Sequence, residues 1–316
     1  MRLGSACAAI LALSALAPAW ASAADLFVVC QDDNALIRFD TRSGRATAQL
    51  GLSPRPAMIA SAGESGSLFI THPELGLVTR LETADLRVSA TLAVGGTPFG
   101  IAVSKDGRFL YVGDWNANVL RKLDANTGHT LAETTVGREP TAVALDAGRG
   151  RLYVANRESG SVSSVDATSM RRENDIKVGE GPFALALDRE KDRLFVANVR
   201  SGDVTVIDAE KGRVVADIPI GGAPYGLAVD SHVILVTSQH GDRVSFIDAA
   251  ELRVSATSPV GRYPEAVAVS EGKAYVANWF SGDLSILDSG RGRAITIKLC
   301  EGPRSMAVAG AKDAQE

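Results

Sequence analysis

A single pattern recurs seven times between Leu26 and Gly310, and no other feature restricts the possible folds as strongly. Each copy holds an aromatic-Val-small-Asn stretch, a Val-x-x-Ile-Asp stretch, a stretch ending in Val-Gly, and Pro-x-small-apolar-Ala-apolar. The first stretch is centred on Phe27, Phe69, Tyr111, Tyr153, Phe195, Leu235 and Tyr275, with successive steps of 42, 42, 42, 42, 40 and 40 residues. The second ends at Asp40, Glu82, Asp124, Asp166, Asp208, Asp248 and Asp288. The proline opening the fourth recurs at Pro54, Pro98, Pro140, Pro182, Pro224, Pro264 and Pro303. Three markers agree on seven units.

Each unit reads as four short strands. Tyr153–Asn156 and Val204–Asp208 are rich in β-formers and stop at turn-forming residues. Asp124-Ala-Asn-Thr-Gly128 and Asp208-Ala-Glu-Lys-Gly212 are hairpin loops, in which Asp bonds the following backbone and Gly accepts positive φ. Four-stranded antiparallel units of about 40 residues in series predict an all-β, seven-bladed β-propeller. Two and four residues past the repeat proline stand small residues: Gly100 and Ala102, Ala142 and Ala144, Ala184 and Ala186, Gly226 and Ala228. They share one strand face and fit the crowded axis. Blade 2 departs with Pro56 and Met58, which predicts an irregular inner strand. The N-terminal segment supplies only three strands of blade 1. The missing inner strand is expected from Arg304 to Ala309, so that the two chain ends close the ring in one sheet.

The units Tyr153-Val-Ala-Asn156, Val162–Asp166, Val178-Gly179 and Pro182 resemble the exported YVTN-type β-propeller repeat family, and Phe195–Asn198 and Tyr275–Asn278 repeat them closely. The resemblance spans nearly all of the chain after the leader. It implies a propeller scaffold whose relatives include binding scaffolds, partners of cofactor proteins, lactonase-like enzymes and surface proteins. It carries no catalytic motif onto this chain.

Residues 1–23 read as a secretory signal peptide. Arg2 is the only charge before Asp25, Ala6 to Ala17 form a short apolar stretch, and Ala21-Ser-Ala23 is a small-x-small cleavage site. The propeller is expected over 24–310, with 311–316 a C-terminal tail. The stretch is too short for a membrane span, and no later segment is long and apolar enough. The chain is 46% hydrophobic and 22% charged, enough for a large core. Its formal charge of −4, which becomes −5 once Arg2 leaves, argues against nucleic acid and anionic membranes as partners. A periplasmic or secreted monomer follows as the expectation.

Cys30 and Cys300 remain after the leader, Cys30 in the Asn position of blade 1 and Cys300 in the Gly position of the last Val-Gly. Propeller topology places both beside the closure. They are read as a disulfide stapling the ring, or otherwise as two separate small apolar residues.

Candidate binding residues gather where loops meet the axial mouth. The position after each proline varies: Arg55, Phe99, Thr141, Phe183, Tyr225, Glu265 and Arg304. This predicts a mouth with an aromatic side and a charged side, unless the aromatics simply cap the core and Glu265 pairs with Arg304. Trp115 and Trp279 fall one residue past the Asn position, with Phe280 beside the second, and Arg157, Arg200 and His240 occupy neighbouring loop positions.

No nucleophile elbow, zinc-binding His-Glu-x-x-His or Cys-x-x-Cys is present. His72 and His240 emerge near the mouth and would need Glu74 or Asp242 to hold a metal. No catalytic residue, metal or cofactor is predicted. The sequence favours a non-catalytic exported scaffold binding a protein partner or small ligand on its upper loop face. The alternatives are an enzyme or enzyme subunit acting in the central channel, lactonase-like or serving a quinone- or haem-dependent oxidoreductase, and a purely structural envelope protein.

Overall fold

The structure, a computed structural model, describes residues 25–62, 66–289 and 292–309. The leader, residue 310 and the tail assigned to 311–316 lie outside that range. Strands β1 (Asp25–Cys30), β2 (Ala35–Asp40) and β3 (Arg45–Gly51) start blade 1. Blade 2 is β4 to β7 (Ile59–Ala62, Ser67–His72, Leu77–Glu82, Arg87–Ala93), and blade 3 is β8 to β11 (Pro98–Val103, Phe109–Asp114, Val119–Asp124, Thr130–Thr135). Blade 4 is β12 to β15 (Pro140–Asp146, Arg151–Asn156, Ser161–Asp166, Arg172–Lys177), and blade 5 is β16 to β19 (Pro182–Asp188, Arg193–Asn198, Asp203–Asp208, Arg213–Pro219). Blade 6 is β20 to β23 (Pro224–Asp230, Val233–Ser238, Arg243–Asp248, Arg253–Pro259), and blade 7 is β24 to β27 (Pro264–Ser270, Lys273–Asn278, Asp283–Asp288, Ile295–Lys298). The last strand, β28 (Pro303–Ala309), pairs antiparallel with β1, giving the sheet order β28-β1-β2-β3. Seven four-stranded blades and the predicted closure are therefore present.

One sequence marker is displaced. In every other blade the residue four past the proline faces the centre of the next strand, as Ala102 faces Tyr111 and Ala144 faces Tyr153. In blade 2 Ala60 faces Phe69, which makes Pro56 rather than Pro54 the structural equivalent. Arg55 accordingly sits one residue before the proline, with positive φ like Glu139, Ala223 and Tyr263. Its amide is capped by Asn34 Oδ1 at 2.8 Å, as Asn118 caps Glu139 and Asp242 caps Tyr263. Ala57, not Arg55, occupies the ring position. The inner strand β4 is only four residues long, and within it Ala60 keeps the small-residue rule, while Met58 precedes it.

The repeat letters have local causes. Asn156 Nδ2 donates to Ser163 Oγ at 2.9 Å, and Ser163 donates to Asp175 at 2.6 Å; Asn198, Thr205 and Asp217 repeat the chain. Each Asn side chain lies against the Val-Gly of the preceding blade. A Cβ on Gly179 would come within 2.7 Å of Asn198 Nδ2, so only glycine fits. Blades are also stapled on the opposite side: the Tyr153 hydroxyl donates to the Ala209 carbonyl at 2.9 Å, and Arg193 donates to the Ala249 carbonyl.

At blade 1 this Asn–Gly contact becomes covalent. Cys300 stands where the glycine would, Cys30 where the asparagine would, and they form a disulfide with a Cα separation of 6.1 Å across 270 residues of sequence.

Near the axis, Gly226 on β20 lies against β24. An added Cβ would fall 2.5 Å from the Glu265 carbonyl oxygen and 3.0 Å from Thr237 Oγ1. Because a backbone atom cannot swing away, Gly226→Ala is expected to destabilise by about 1–3 kcal/mol. Urea unfolding of the variant checks this; an unchanged midpoint would mean that the blades can spread at the axis.

Candidate functional site

The loops that follow each Asn position and precede each inner strand form one face, called upper here. A repeated bond joins them: Trp115 N donates to Thr97 O and Trp279 N to Tyr263 O, both at 2.9 Å, and Gln31 N donates to Gly302 O at 2.9 Å. This bond fixes each loop aromatic beside the entry to the next inner strand.

The axial mouth is closed by its own side chains. Phe99 and Phe183 come from blades 3 and 5, yet their ring centroids are 6.0 Å apart, edge to face, and Phe183 stacks on Tyr225 at 3.9 Å. Trp115 packs edge-on to Phe99 at 4.9 Å, and Ala57 completes the cluster. Phe99 and Phe183 are buried, and Thr141 is fully buried with its hydroxyl donating to the Ala155 and Pro182 carbonyls. Phe99 and Phe183 thus form a cluster of their own across the axis, apart from the apolar cores between neighbouring blades. The small Ala57 leaves room for this cross-axis packing.

The charged side is also folded inward. Glu265 is only 6% exposed; its Oε1 accepts from Gln239 Nε2 at 3.1 Å, while Oε2 has no hydrogen-bond partner. Arg304 Nε lies 3.9 Å from Oε2 and is itself unpaired by hydrogen bonds. Its Nη1 donates to Gln31 Oε1 at 3.0 Å, and its guanidinium lies 5.6 Å from the Phe99 ring and 5.4 Å from the Trp279 ring. Burial pushes the Glu265 carboxyl up to about 7, against the opposing pull of Arg304. Burial likewise raises the Tyr225 phenol, with the Glu265 charge adding to it.

Two regions of the upper face stay open. Over blades 6 and 7, Phe280 is 61% exposed; it leans on Tyr263 at 4.5 Å, and Tyr263 lies 5.9 Å from the exposed His240. Trp279, next to Phe280 in the chain, is half-buried with its ring against Arg304, and Arg262, whose carbonyl accepts from the Phe280 amide, is exposed. Between blades 3 and 4 a groove of about 370 Å³ is lined by Trp115, Asn116, Asn118, Arg138, Glu139 and Glu158. Arg157 lies over Trp115 at 5.7 Å while pairing with Glu139 at 3.0 Å, and Arg200 pairs with Glu158. Arg55 is exposed at the rim, near Glu74 at 3.3 Å.

The structure therefore splits the predicted residues. Phe99, Phe183, Tyr225, Glu265 and Arg304 meet at the axis, with the Trp279 ring beside Arg304; Phe280 and His240 gather on the crest; Trp115 lines the groove, with Arg157 over its ring; Arg55 stands apart. Tyr263 and Gln239, which sequence reading missed, hold the crest and Glu265 in place. The position before the proline carries the signal for Tyr263, since it is otherwise occupied by Arg55, Thr97, Glu139, Gly181, Ala223 and Gly302, none of them aromatic.

His72 belongs to the Asn series rather than to a site. It is fully buried, with Nδ1 3.2 Å from the Pro54 carbonyl and Nε2 2.9 Å from Thr79 Oγ1, and burial holds its pKa below the usual value. A neutral ring donating from Nδ1 and accepting at Nε2 satisfies both contacts. Among the described residues, no three metal-ligating groups converge.

Comparison with known proteins finds similarity to one family over part of the chain and to several solved structures. A family described as "Lactonase, 7-bladed beta-propeller" matches residues 122–219, a segment ending before Tyr225, Glu265 and Arg304. No curated protein matches the chain in sequence. Among solved structures, a functionally unknown protein from Desulfotomaculum acetoxidans superimposes with TM-score 0.78 at 13% identity, covering 90% of this chain and 98% of that one. Streptogramin B lyase gives TM-score 0.71 at 14% identity, covering 80% and 87% of the two chains. The dihydro-heme d1 dehydrogenase NirN gives 0.66 at 16%, covering 87% of this chain and 63% of NirN. At these identities the similarity concerns the fold.

Proposed function

We propose that this chain is an exported, non-catalytic propeller whose upper loop face docks a protein partner. The crest of Phe280, Tyr263 and His240 forms the centre of contact. Trp115, Arg138 and Glu158 line a secondary groove able to take a small ligand, with Arg157 over the Trp115 ring. The observation carrying this reading is the exposure of Phe280: a large aromatic ring stands mostly in solvent, supported from behind by a second ring. Rigid aromatics so placed dominate binding energy at protein interfaces. The mouth, by contrast, is packed shut by its own residues. Export is supported by the buried Cys30–Cys300 disulfide, since such bonds persist in oxidising compartments. Among the described residues no helix is long and apolar enough to cross a membrane.

The test is capture from the exported fraction on immobilised chain, comparing wild type with Phe280→Ala and Tyr263→Ala. Loss of an interface hot spot of about 2 kcal/mol or more predicts that a specific partner is retained by wild type and weakened at least about 30-fold in the variants. Equal retention would overturn the docking reading.

A hydrolytic reading has one observation in its favour: a buried carboxyl shifted to about 7 beside an arginine, in a chain that matches a lactonase-described family over part of its length. Turnover of simple lactones by wild type, lost in Glu265→Gln, would replace the docking reading with this one.

A further inference from the structure

Arg304 is held at the mouth by an unusual set of contacts. Its guanidinium lies over the rings of both Phe99 and Trp279, one nitrogen bonds Gln31, and its Nε stays 3.9 Å from Glu265 Oε2, beyond hydrogen-bond distance. Both of these atoms are buried and lack hydrogen bonds. What holds that side of Arg304 is therefore charge attraction across 3.9 Å of protein interior, an attraction that exists only while Glu265 is ionised. Burial dominates the environment of Glu265 and moves its titration to about 7, so both charge states are populated near neutrality.

The groups packed around this carboxyl are few. Arg304 reaches it from β28, Gln239 from the 3-10 turn Gln239–Gly241, Tyr225 from β20 and Tyr263 from the loop before β24. Asp32, in the turn after β1, adds a further negative charge that favours the protonated form. Arg157 acts on Tyr225 from blade 4, and His240 touches Tyr263 from the 3-10 turn.

We propose that Glu265 and Arg304 form a proton-operated latch on Trp279. When Glu265 is ionised, the guanidinium stays over the Phe99 and Trp279 rings. When the carboxylate takes up a solvent proton, Arg304 loses its counter-charge, moves toward water, and leaves Trp279 free to join the crest. No covalent bond changes; the Nη1 hydrogen bond to Gln31 and the contacts with the Phe99 and Trp279 rings are exchanged for water. The latch regulates the docking face, and its use rests on that reading, although its existence does not.

The chain has three tryptophans, Trp20, Trp115 and Trp279, so replacing the first two by phenylalanine leaves Trp279 as the sole reporter. In that background the emission maximum should move to longer wavelength, and iodide quenching should increase, as the pH falls through about 7. Glu265→Gln should abolish the transition, whereas His240→Gln should leave it in place. Arg304→Gln, which removes the clamp itself, should give accessible Trp279 at every pH and serves if Glu265→Gln does not fold. A transition that survives Glu265→Gln, its absence in the reporter chain, or a still-shielded Trp279 in Arg304→Gln would each overturn the latch. Capture through Phe280 and Tyr263 reads the docking face separately, so either proposal can fail without the other.

Discussion

Replacing Cys30 and Cys300 together by alanine is expected to lower the unfolding free energy by about 2–5 kcal/mol. The effect should lie toward the upper end, because the bond closes a loop of 270 residues and the unfolded-chain entropy removed grows with loop length. Alanine is chosen over serine because Cys30 is fully buried, and a hydroxyl there would add an unrelated desolvation cost. Urea unfolding measures the change directly. Wild type in strong reductant should approach the double variant, and the variant should be insensitive to reductant. Coincident oxidised and reduced curves would show that the pairing of β1 with β28 holds the ring without covalent help.

The second large effect concerns Glu265. Its carboxyl titrates at about 7 in the folded chain against 4.5 ordinarily, so between those values the folded state binds a proton that the unfolded state has released. Stability contributed by the protonated form is therefore complete below about pH 4.5 and declines as pH rises to about 7. The total loss is on the order of 3 kcal/mol. Glu265→Gln should flatten this slope and be more stable than wild type above pH 7, because the shift shows that the cost of burying the charge exceeds the attraction of Arg304. Urea midpoints from pH 4.5 to 8.5 decide it; parallel curves for the two proteins would refute it. The window is bounded below by the hairpin residues Asp40, Asp124, Asp166, Asp208 and Asp248. Backbone amides lower their carboxyls, and their stabilisation is lost only as the pH falls further.

The blade count, the four-stranded units and the shared first blade were legible in the sequence because each rests on local chemistry repeated seven times. The Cys30–Cys300 pair could be read for the same reason, once the Asn and Gly positions were recognised as neighbours. Pro54 misled because two prolines flank Arg55, and only the pairing of Ala60 with Phe69 separates them. The mouth was legible as a list of residues but not as a surface. A repeat tells which side chains point toward the axis; it does not tell whether Phe99 and Phe183, two blades apart, are long enough to meet. Nor does it show that Ala57 makes space for them, or that Arg304 spends its charge inside the plug. His72 was misplaced for a similar reason: with Thr79 it does in blade 2 what Asn and Ser or Thr do elsewhere, in different letters.

The way the ends are joined also sets how this molecule would answer a mechanical load. Asp25 lies opposite Ala309, and the ladder runs from there to Cys30 beside Pro303. A pull applied to the two termini would part β1 from β28 one residue pair at a time, like a zip. It would then reach the sulfur bridge and stop, with tension passing through that link and the remaining six blades left slack.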